Sequence, residues 1–164
     1  MDTAIDLTPR RATPDEIPAL ARLWHDGWQD AHAAIVPAAL TRLRTLDSFA
    51  ERLAGGLDDV RVIGAPGEPL GLCMIKGDEL YQLFVSAQAR GTGVAVALIA
   101  DAEARIAASG AAAAWLACSI GNDRAARFYE KNGWRRAGIV TLPLETSAGP
   151  FDLDIWRYEK PITT

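Results

Sequence analysis

A short strand-like segment is followed by a loop with two glycines and then by a long segment with helical spacing. This junction constrains the fold more than any other feature of the sequence. Residues 79–85 are largely apolar, and a loop joins them to Arg90-Gly91-Thr92-Gly93. From Val94 onward the apolar side chains follow helical spacing. The first turn of a helix carries unpaired backbone N–H groups and the positive end of the helix dipole. Because glycine has no Cβ, an anion such as phosphate can approach those amides closely, so this turn is typical of an anion cradle.

Two common phosphate-binding motifs do not fit this turn. A P-loop ends in Gly-Lys followed by Ser or Thr, whereas this chain has no lysine between Lys76 and Lys131. A dinucleotide-binding turn needs a third small residue where this chain has Val96. A helix that begins on glycine for structural reasons alone remains an alternative.

The runs around this turn predict the order of the elements as β-α-α-β-β-β-α-β-α-β-β, which indicates an α/β (α+β) domain around a mixed sheet. The predicted strands are residues 5–11, 60–65, 70–76, 79–85, 111–119, 134–144 and 151–159. The predicted helices begin at Thr13, Ala38, the glycine turn and Asn122, and the second extends to about Leu53.

Length and charge narrow the functional classes. A chain of 164 residues fits one domain, and we expect residues 1–164 to form a single domain. The net charge of −4 argues against a nucleic-acid partner, which needs a basic surface, and mildly favours cationic small molecules. No apolar run approaches the ~18 residues of a membrane helix, and the first ten residues lack the apolar core of a signal peptide. We therefore expect a cytoplasmic protein with no membrane partner.

The cysteines and histidines do not indicate a metal site. Cys73 and Cys118 each lie in an apolar run without a Cys-x-x-Cys pair, so both are expected to be buried free thiols. His25 and His32 lack a third ligand with suitable spacing. We therefore expect no metal.

The pattern Gln88-x-x-Gly91-x-Gly93-x-Ala95 resembles the coenzyme A pyrophosphate loop of the GNAT superfamily of N-acetyltransferases. Upstream, "ELYQLFV" resembles the fourth strand of that family, and downstream "NDRAARFYEKNGW" resembles its closing segment. The resemblance is specific over residues 79–134 and looser over residues 5–160. It implies a GNAT-like, mostly antiparallel central sheet flanked by helices, with acetyl-coenzyme A (acetyl-CoA) as cosubstrate.

The resemblance also implies which residues bind the coenzyme. In the family, backbone groups at the position of Val85 pair with the pantetheine arm. The implied coenzyme-binding residues are Phe84, Val85, Gln88, Arg90, Gly91, Thr92, Gly93, Val94, Ala95, Asn122, Arg124 and Ala125. Asn122 as a simple helix N-cap is the alternative. The sequence departs from the family pattern at Ala87, where a proline is common, which should only loosen the loop.

The family reaction transfers an acetyl group to an amine, which must be neutral to attack. At neutral pH only about 10⁻³ of a free alkyl amine is deprotonated, so a general base is needed. We predict Glu79 as this base, because on a regular strand it faces the same side as Val85; a solvated acid at a turn is the alternative. Tyr129 shares a helical face with Asn122 and is predicted to protonate the leaving thiolate; a packed core aromatic is the alternative.

The acceptor pocket is less well specified. Trp24, Trp28 and His32 lie at four-residue intervals, one face of a helix if Gly27 does not interrupt it. We predict Trp28 and His32 as substrate-binding residues, with core packing as the alternative. The expected acceptor is a primary amine of a small molecule or peptide, and a non-catalytic acyl-CoA-binding module is the alternative function. A homodimer is a possible assembly, because dimers are common in the family.

Overall fold

The computed structural model describes residues 4–162, along which helices and strands alternate. The strands are β1 (Arg10–Arg11), β2 (Val60–Ala65), β3 (Glu68–Lys76), β4 (Glu79–Val85), β5 (Ala113–Ser119), β6 (Arg135–Leu144) and β7 (Phe151–Pro161). The α-helices are α1 (Ile17–His32), α2 (Ala38–Leu43), α3 (Leu46–Gly55), α4 (Val94–Ala108) and α5 (Asp123–Lys131). None of the helices between residues 4 and 162 is long and apolar enough to span a membrane.

The strands form one sheet in the order β1-β2-β3-β4-β5-β7-β6. Neighbouring strands are antiparallel except β4 and β5, which are parallel. Each side of the sheet has its own apolar core. One core contains Leu98 and Ile99 of α4 with Ala126 of α5, and the other contains Trp24 of α1 and Phe49 of α3. The predicted mixed, mostly antiparallel sheet flanked by helices is confirmed.

Local chemistry fixes the start of α1 as predicted. The Thr13 N–H donates to Glu16 Oε2 at 2.8 Å, which satisfies a backbone group that the helix leaves unpaired. The Arg10 guanidinium donates to both Glu16 oxygens, at 3.0 and 2.7 Å. Hydrogen bonding from Arg10 lowers the pKa of the buried Glu16 carboxyl to about 2. The N-terminal turn is thus tied to β1 by an ionised pair.

Two predicted elements are wrong in extent. The first strand was expected over residues 5–11 but pairs with β2 only at Arg10 and Arg11; Pro9 has no N–H to donate to a ladder. The helix expected from Ala38 to about Leu53 is two helices. The first ends at Leu43 with Arg44 as its C-cap, and Thr45 caps the second, since its Oγ1 accepts from the Ser48 N–H at 3.1 Å.

Strand β4 contains a bulge that the sequence pattern did not reveal. Gln82 pairs with Met74 and Leu80 pairs with Ile75, so Tyr81 is an extra residue on β4. An extra residue shifts the alternation of side chains between the two faces of a sheet. The strand therefore contributes side chains to both cores and changes face partway along its length.

Candidate active site

A cavity opens where β4 and β5 separate. The two strands pair at a single position, Glu79 with Trp115, and then diverge. The space between them measures about 410 Å³. On the edge of β4 that faces β3, the Ser86 N–H donates to Leu70 O at 2.8 Å. In an antiparallel pair, backbone groups of successive residues point alternately toward and away from the neighbouring strand. Since the Ser86 N–H points to β3, the Val85 N–H points the other way, to the open edge of β4 next to β5.

The cavity collects predicted site residues from three elements, which are β4, α1 and α5 with its N-cap. Its walls include the two predicted catalytic residues, the two predicted substrate-binding residues and three of the predicted coenzyme-binding residues. These are Glu79, Tyr129, Trp28, His32, Phe84, Asn122 and Ala125. Residues that are far apart in the sequence are thus brought to one site.

Glu79 is half-buried at the apex of the separating strands. Burial raises the pKa of its carboxyl to about 7, although the Lys76 ammonium opposes this shift. The expectation that Glu79 faces the same side as Val85 is wrong, because it assumed a regular strand. Leu80 and Val85 both pack against the α4 core, so Glu79, which precedes Leu80, points to the other face. Glu79 reaches the cavity through the gap between the strands and not from the side of Val85.

Tyr129 contributes a hydroxyl from α5. Its ring packs against Trp134 and Tyr158, with centroids 6.3 and 6.1 Å apart. Burial raises the pKa of the phenol, and among residues 4–162 no hydrogen bond perturbs it. The core-aromatic alternative is therefore correct for the ring, and Tyr129 is also one of the residues that line the cavity.

Asn122 caps α5 and also lines the cavity. Its Oδ1 accepts from the Ala125 N–H at 3.4 Å, so the N-cap alternative describes a real contact. Its position one turn before Ala125 and two turns before Tyr129 gives the three residues a common face toward the cavity. The cap therefore fixes the orientation of the helix face that carries Tyr129.

Cys118 lies in the same cavity wall but is not a nucleophile. Burial raises the pKa of its thiol to about 12, so it stays protonated at neutral pH. Cys73 is also free and buried, with its pKa raised to about 12 for the same reason. The prediction of two buried free thiols is confirmed. Within residues 4–162, no group of three His, Cys, Asp or Glu side chains could hold a metal ion.

The glycine turn requires glycine for its backbone. Gly91 has φ of +77° and Gly93, the N-cap of α4, has φ of +92°, a region that L side chains rarely adopt. The first helical hydrogen bond runs from Ala97 N–H to Gly93 O at 3.0 Å, so the preceding amides of α4 have no helical acceptor. Among residues 4–162, apart from Gly91 and its two chain neighbours, no heavy atom lies within 4 Å of where a Cβ of Gly91 would be. The turn thus presents free N–H groups at an open surface, which fits a pyrophosphate.

Other predicted loop residues differ in what they can offer a ligand. The Val94 side chain is fully buried in the α4 core, so only its backbone can contact coenzyme. The Thr92 hydroxyl donates to Ala89 O and closes the turn. Ala95 is half-buried, and Gln88 is exposed in the short 3-10 turn before the glycines.

Both predicted coenzyme-binding arginines meet one carboxylate. Arg90 Nη2 lies 3.0 Å and Arg124 Nη1 lies 3.7 Å from Oδ2 of Asp30, near the end of α1. The three side chains are largely exposed, so this contact stabilises little by itself. It does place the two arginine side chains near each other, where both could reach phosphate oxygens.

Of the predicted aromatic face of α1, Trp28 and His32 line the cavity, whereas Trp24 is fully buried in the core as the alternative expected. Helix α1 continues through Gly27, where a Cβ would lie 2.7 Å from Cδ1 of Phe84. Trp28 and His32 stack with ring centroids 5.0 Å apart. Burial lowers the pKa of His32 to about 4. Its Nδ1 lies 3.1 Å from Trp28 O, and since a carbonyl only accepts, Nδ1 carries the proton and Nε2 is a free acceptor.

Three basic side chains of the cavity were missed by sequence reasoning: Arg44, Arg52 and Lys76. Arg44 lies at the break between α2 and α3, where its side chain is buried, and the predicted continuous helix did not reveal this break. The sequence does contain a signal for this break. Thr45 is a hydroxyl residue followed by Asp47, an acid in the first helical turn, and this pattern marks a helix start. No local signal identifies Arg52 or Lys76.

Comparisons with known proteins agree with this geometry. The profile of the family described as "Acetyltransferase (GNAT) family" matches residues 19–134. An uncharacterised N-acetyltransferase of Mycobacterium tuberculosis is 35% identical over 117 residues, which cover 68% of this chain and 72% of the relative. A protein of the same description from Mycobacterium bovis matches with the same identity and coverage.

Solved structures share the fold. A GCN5-related N-acetyltransferase from Rhodopseudomonas palustris superposes with a TM-score of 0.74 at 21% identity, covering 98% of this chain and 99% of that one. The PaiA N-acetyltransferase of Thermoplasma acidophilum, solved in complex with coenzyme A, superposes with a TM-score of 0.67 at 17% identity, covering 94% and 98%. The predicted acetyl-CoA-dependent N-acetyltransferase is confirmed, and the chain belongs to the acetyltransferase (GNAT) family.

Proposed function

We propose that this protein transfers the acetyl group of acetyl-CoA to a primary amine of a small molecule or peptide by direct attack, with Glu79 as general base and Tyr129 as general acid. One observation carries the proposal: a carboxyl with a pKa near 7 and a phenol with a free hydroxyl line the same cavity. That cavity lies along the open edge of β4.

The residues around the cavity fit the coenzyme. Acetyl-CoA supplies the acetyl group as a thioester. The amides of the first turn of α4 at residues 94–96, which have no helical acceptor, would hold its phosphates with Arg90 and Arg124, and Gln88 lies beside them. The open edge of β4 at Phe84 and Val85 would take up the pantetheine arm as an added strand, opposite Asn122 and Ala125. The Val85 N–H would then donate to the thioester carbonyl oxygen.

Glu79 is the better base of the two candidates in the cavity. With a pKa of about 7, it is partly ionised at neutral pH and can take a proton from an ammonium group, directly or through water. His32 also offers a free Nε2, but its pKa of about 4 makes it a much weaker base. We therefore assign proton removal to Glu79 and contact with the acceptor to His32 and Trp28.

Tyr129 keeps its proton until sulfur departs. A free thiol has an ordinary pKa of about 8.5, which would make its thiolate a weak base toward a phenol. Inside this cavity burial raises the pKa of the Cys118 thiol to about 12. The same loss of solvent would raise the basicity of a departing thiolate, which favours its protonation by Tyr129.

A non-catalytic acyl-CoA-binding module is the alternative function. Such a module needs the glycine turn and the open edge of β4 but neither Glu79 nor Tyr129. The test is release of free coenzyme A from acetyl-CoA, measured by a thiol assay against polyamines, amino acids, aminoglycosides and short peptides. Amine-dependent release supports the transferase, whereas silence across the panel with intact acetyl-CoA binding supports the module.

Three further proposals rest on the sequence. We propose that residues 1–164 form a single domain and that the protein is cytoplasmic. We also propose that it can form a homodimer. The edge strand β6 carries Ile139, which is 65% exposed, and a partner strand could cover it.

A further inference from the structure

One wall of the cavity is basic. It consists of Arg44 from the turn after α2, Arg52 from α3 and Lys76 from the end of β3, and we call it the basic wall. Arg44 is only 4% exposed, and its Nη1 donates to Glu145 O at 2.6 Å. Arg52 lies over the buried Trp24 ring at 4.4 Å and donates to the Tyr81 hydroxyl. These contacts point both guanidinium groups along the cavity.

The two guanidinium groups of this wall lack a carboxylate. Among residues 4–162, the Nε atoms of Arg44 and Arg52 are buried and have no hydrogen-bond partner. Burial and the nearby Arg52 charge lower the pKa of Arg44 to about 10, so it remains charged at neutral pH. A buried charge that no opposite charge compensates is costly, and a bound anion would lower that cost.

The acidic groups near the wall do not neutralise it. The Lys76 ammonium lies 3.6 Å from Glu145, whose side chain is 66% exposed. Glu79 lies in the same cavity but is partly protonated at neutral pH. His32, which faces Arg44, is uncharged at that pH. Three cations therefore face one ionised and one partly ionised carboxyl, which leaves an excess of positive charge.

We propose that the amine acceptor carries an anionic group, a carboxylate or a phosphate, which binds Arg44 and Arg52 with Lys76 at the rim. This inference rests on the proposed acetyl transfer and names the substrate class for it. The planar guanidinium fork matches the two oxygens of either group. Bound in the cavity, the anion would neutralise this wall through the terminal Nη groups, because the Nε atoms have no accessible surface.

The rest of the cavity agrees with a small anionic amine. Its volume of about 410 Å³ must also hold the acetyl end of the coenzyme, which favours a compact acceptor. Polyamines and aminoglycosides carry several positive charges and would be repelled by the basic wall. The net charge of −4 mildly favours cationic ligands, but the charge of the basic wall favours anionic ligands in the cavity.

The first experiment compares acceptors that differ in the anionic group. The pairs are β-alanine and 3-aminopropanol, phenylalanine and phenethylamine, and phosphoethanolamine and ethanolamine, with spermidine as a cationic acceptor. We expect at least about tenfold higher kcat/KM for the anionic member of any pair that reacts. The carboxylate and phosphate pairs show which anion is preferred. Preference for the neutral members or for spermidine overturns the inference while leaving the transferase intact.

The second experiment measures anion binding and does not require turnover. Succinate and inorganic phosphate are titrated by calorimetry into protein saturated with coenzyme A, at constant ionic strength. We expect binding that weakens at least about tenfold in Arg44→Gln and is unchanged in Arg42→Gln, which alters an exposed arginine of α2 two residues before Arg44. If Arg44→Gln does not fold, Lys76→Gln, which alters a 45% exposed side chain, replaces it and should weaken binding severalfold.

The outcomes separate the two proposals. No anion binding to the loaded wild-type protein, or equal binding by wild type and the basic-wall variants, overturns the inference. If anions bind but no amine is acetylated, the transfer proposal fails and the anion site stands. Arg44→Gln should also lower kcat/KM for an anionic acceptor while leaving the KM for acetyl-CoA unchanged, a split that general destabilisation would not produce.

Discussion

Replacing Glu79 with glutamine should stabilise the protein at alkaline pH and inactivate it. The wild-type carboxyl has its pKa raised from 4.5 to about 7 by burial, so the folded state favours the protonated form. This contribution to stability is fully present below pH 4.5 and is lost as the pH rises through 7. Glutamine keeps the shape and polarity of the protonated acid but never ionises, so the variant does not lose stability over that range.

The magnitude follows from the pKa. A rise from 4.5 to about 7 corresponds to about 3 kcal/mol between the two protonation states. Because Glu79 is only half-buried, solvent reduces this figure, and we expect about 1–3 kcal/mol of added stability at pH 9. For a domain of this size that raises Tm by about 2–12 °C. At pH 4.5 wild type and Glu79→Gln should melt within about 1 °C of each other, since both side chains are then neutral.

The assay is thermal unfolding followed by circular dichroism at pH 4.5, 7 and 9, with Glu68→Gln as the control. Glu68 is exposed on β3, so its replacement should leave Tm unchanged at every pH. Equal melting of wild type and Glu79→Gln at pH 9 would refute the buried, pKa-shifted carboxyl.

The role of Glu79 as general base is tested on the same variant. With a reactive amine, Glu79→Gln should lower kcat about 10²- to 10⁴-fold and remove the limb of the pH–rate profile near pH 7. Unchanged kcat together with the expected gain in Tm would support the raised pKa of Glu79 but reject Glu79 as the base.

Three further predictions test other parts of the molecule. Tyr129→Phe should keep the Kd for acetyl-CoA by calorimetry while kcat falls about 10- to 100-fold, and unchanged turnover would reject the general acid. Gly91→Glu should abolish acetyl-CoA binding by calorimetry, because a side chain at φ of +77° is strained and its charge opposes phosphate; unaltered affinity would reject the cradle. Glu16→Gln should lower the free energy of unfolding by about 1–3 kcal/mol at pH 7, measured by urea denaturation. Since the pKa of Glu16 is lowered to about 2, that difference should shrink as the pH falls from 4.5 to 2, and a constant difference would contradict the Arg10–Glu16 pair.

The features that the sequence predicted are those with a local cause. The glycine turn was predicted because positive φ at Gly91 and Gly93 and free helix amides depend only on neighbouring residues. The start of α1 was predicted because Thr13 and Glu16 satisfy each other within one turn. The shared face of Asn122 and Tyr129 follows from helix geometry alone.

The features that were missed depend on competition between distant groups. Apolar spacing from Ala38 to Leu53 favours one helix, but a cap at Thr45 and burial of Phe49 against α1 break it in two. The bulge at Tyr81 is set by register with β3, which periodicity within β4 does not report. A single extra residue was enough to reverse the expected face of Glu79 while leaving it in the predicted site.

The acceptor preference could not be predicted from composition for the same reason. Net charge sums side chains that mostly face solvent, where water screens them. Arg44, Arg52 and Lys76 come from three elements and meet only when α3 packs beside β3 and the helix break turns Arg44 inward. A ligand in the cavity is exposed to these nearby charges at low dielectric and only weakly to the total charge. An acidic protein can therefore have a basic site, and acceptor chemistry has to be inferred from the cavity wall.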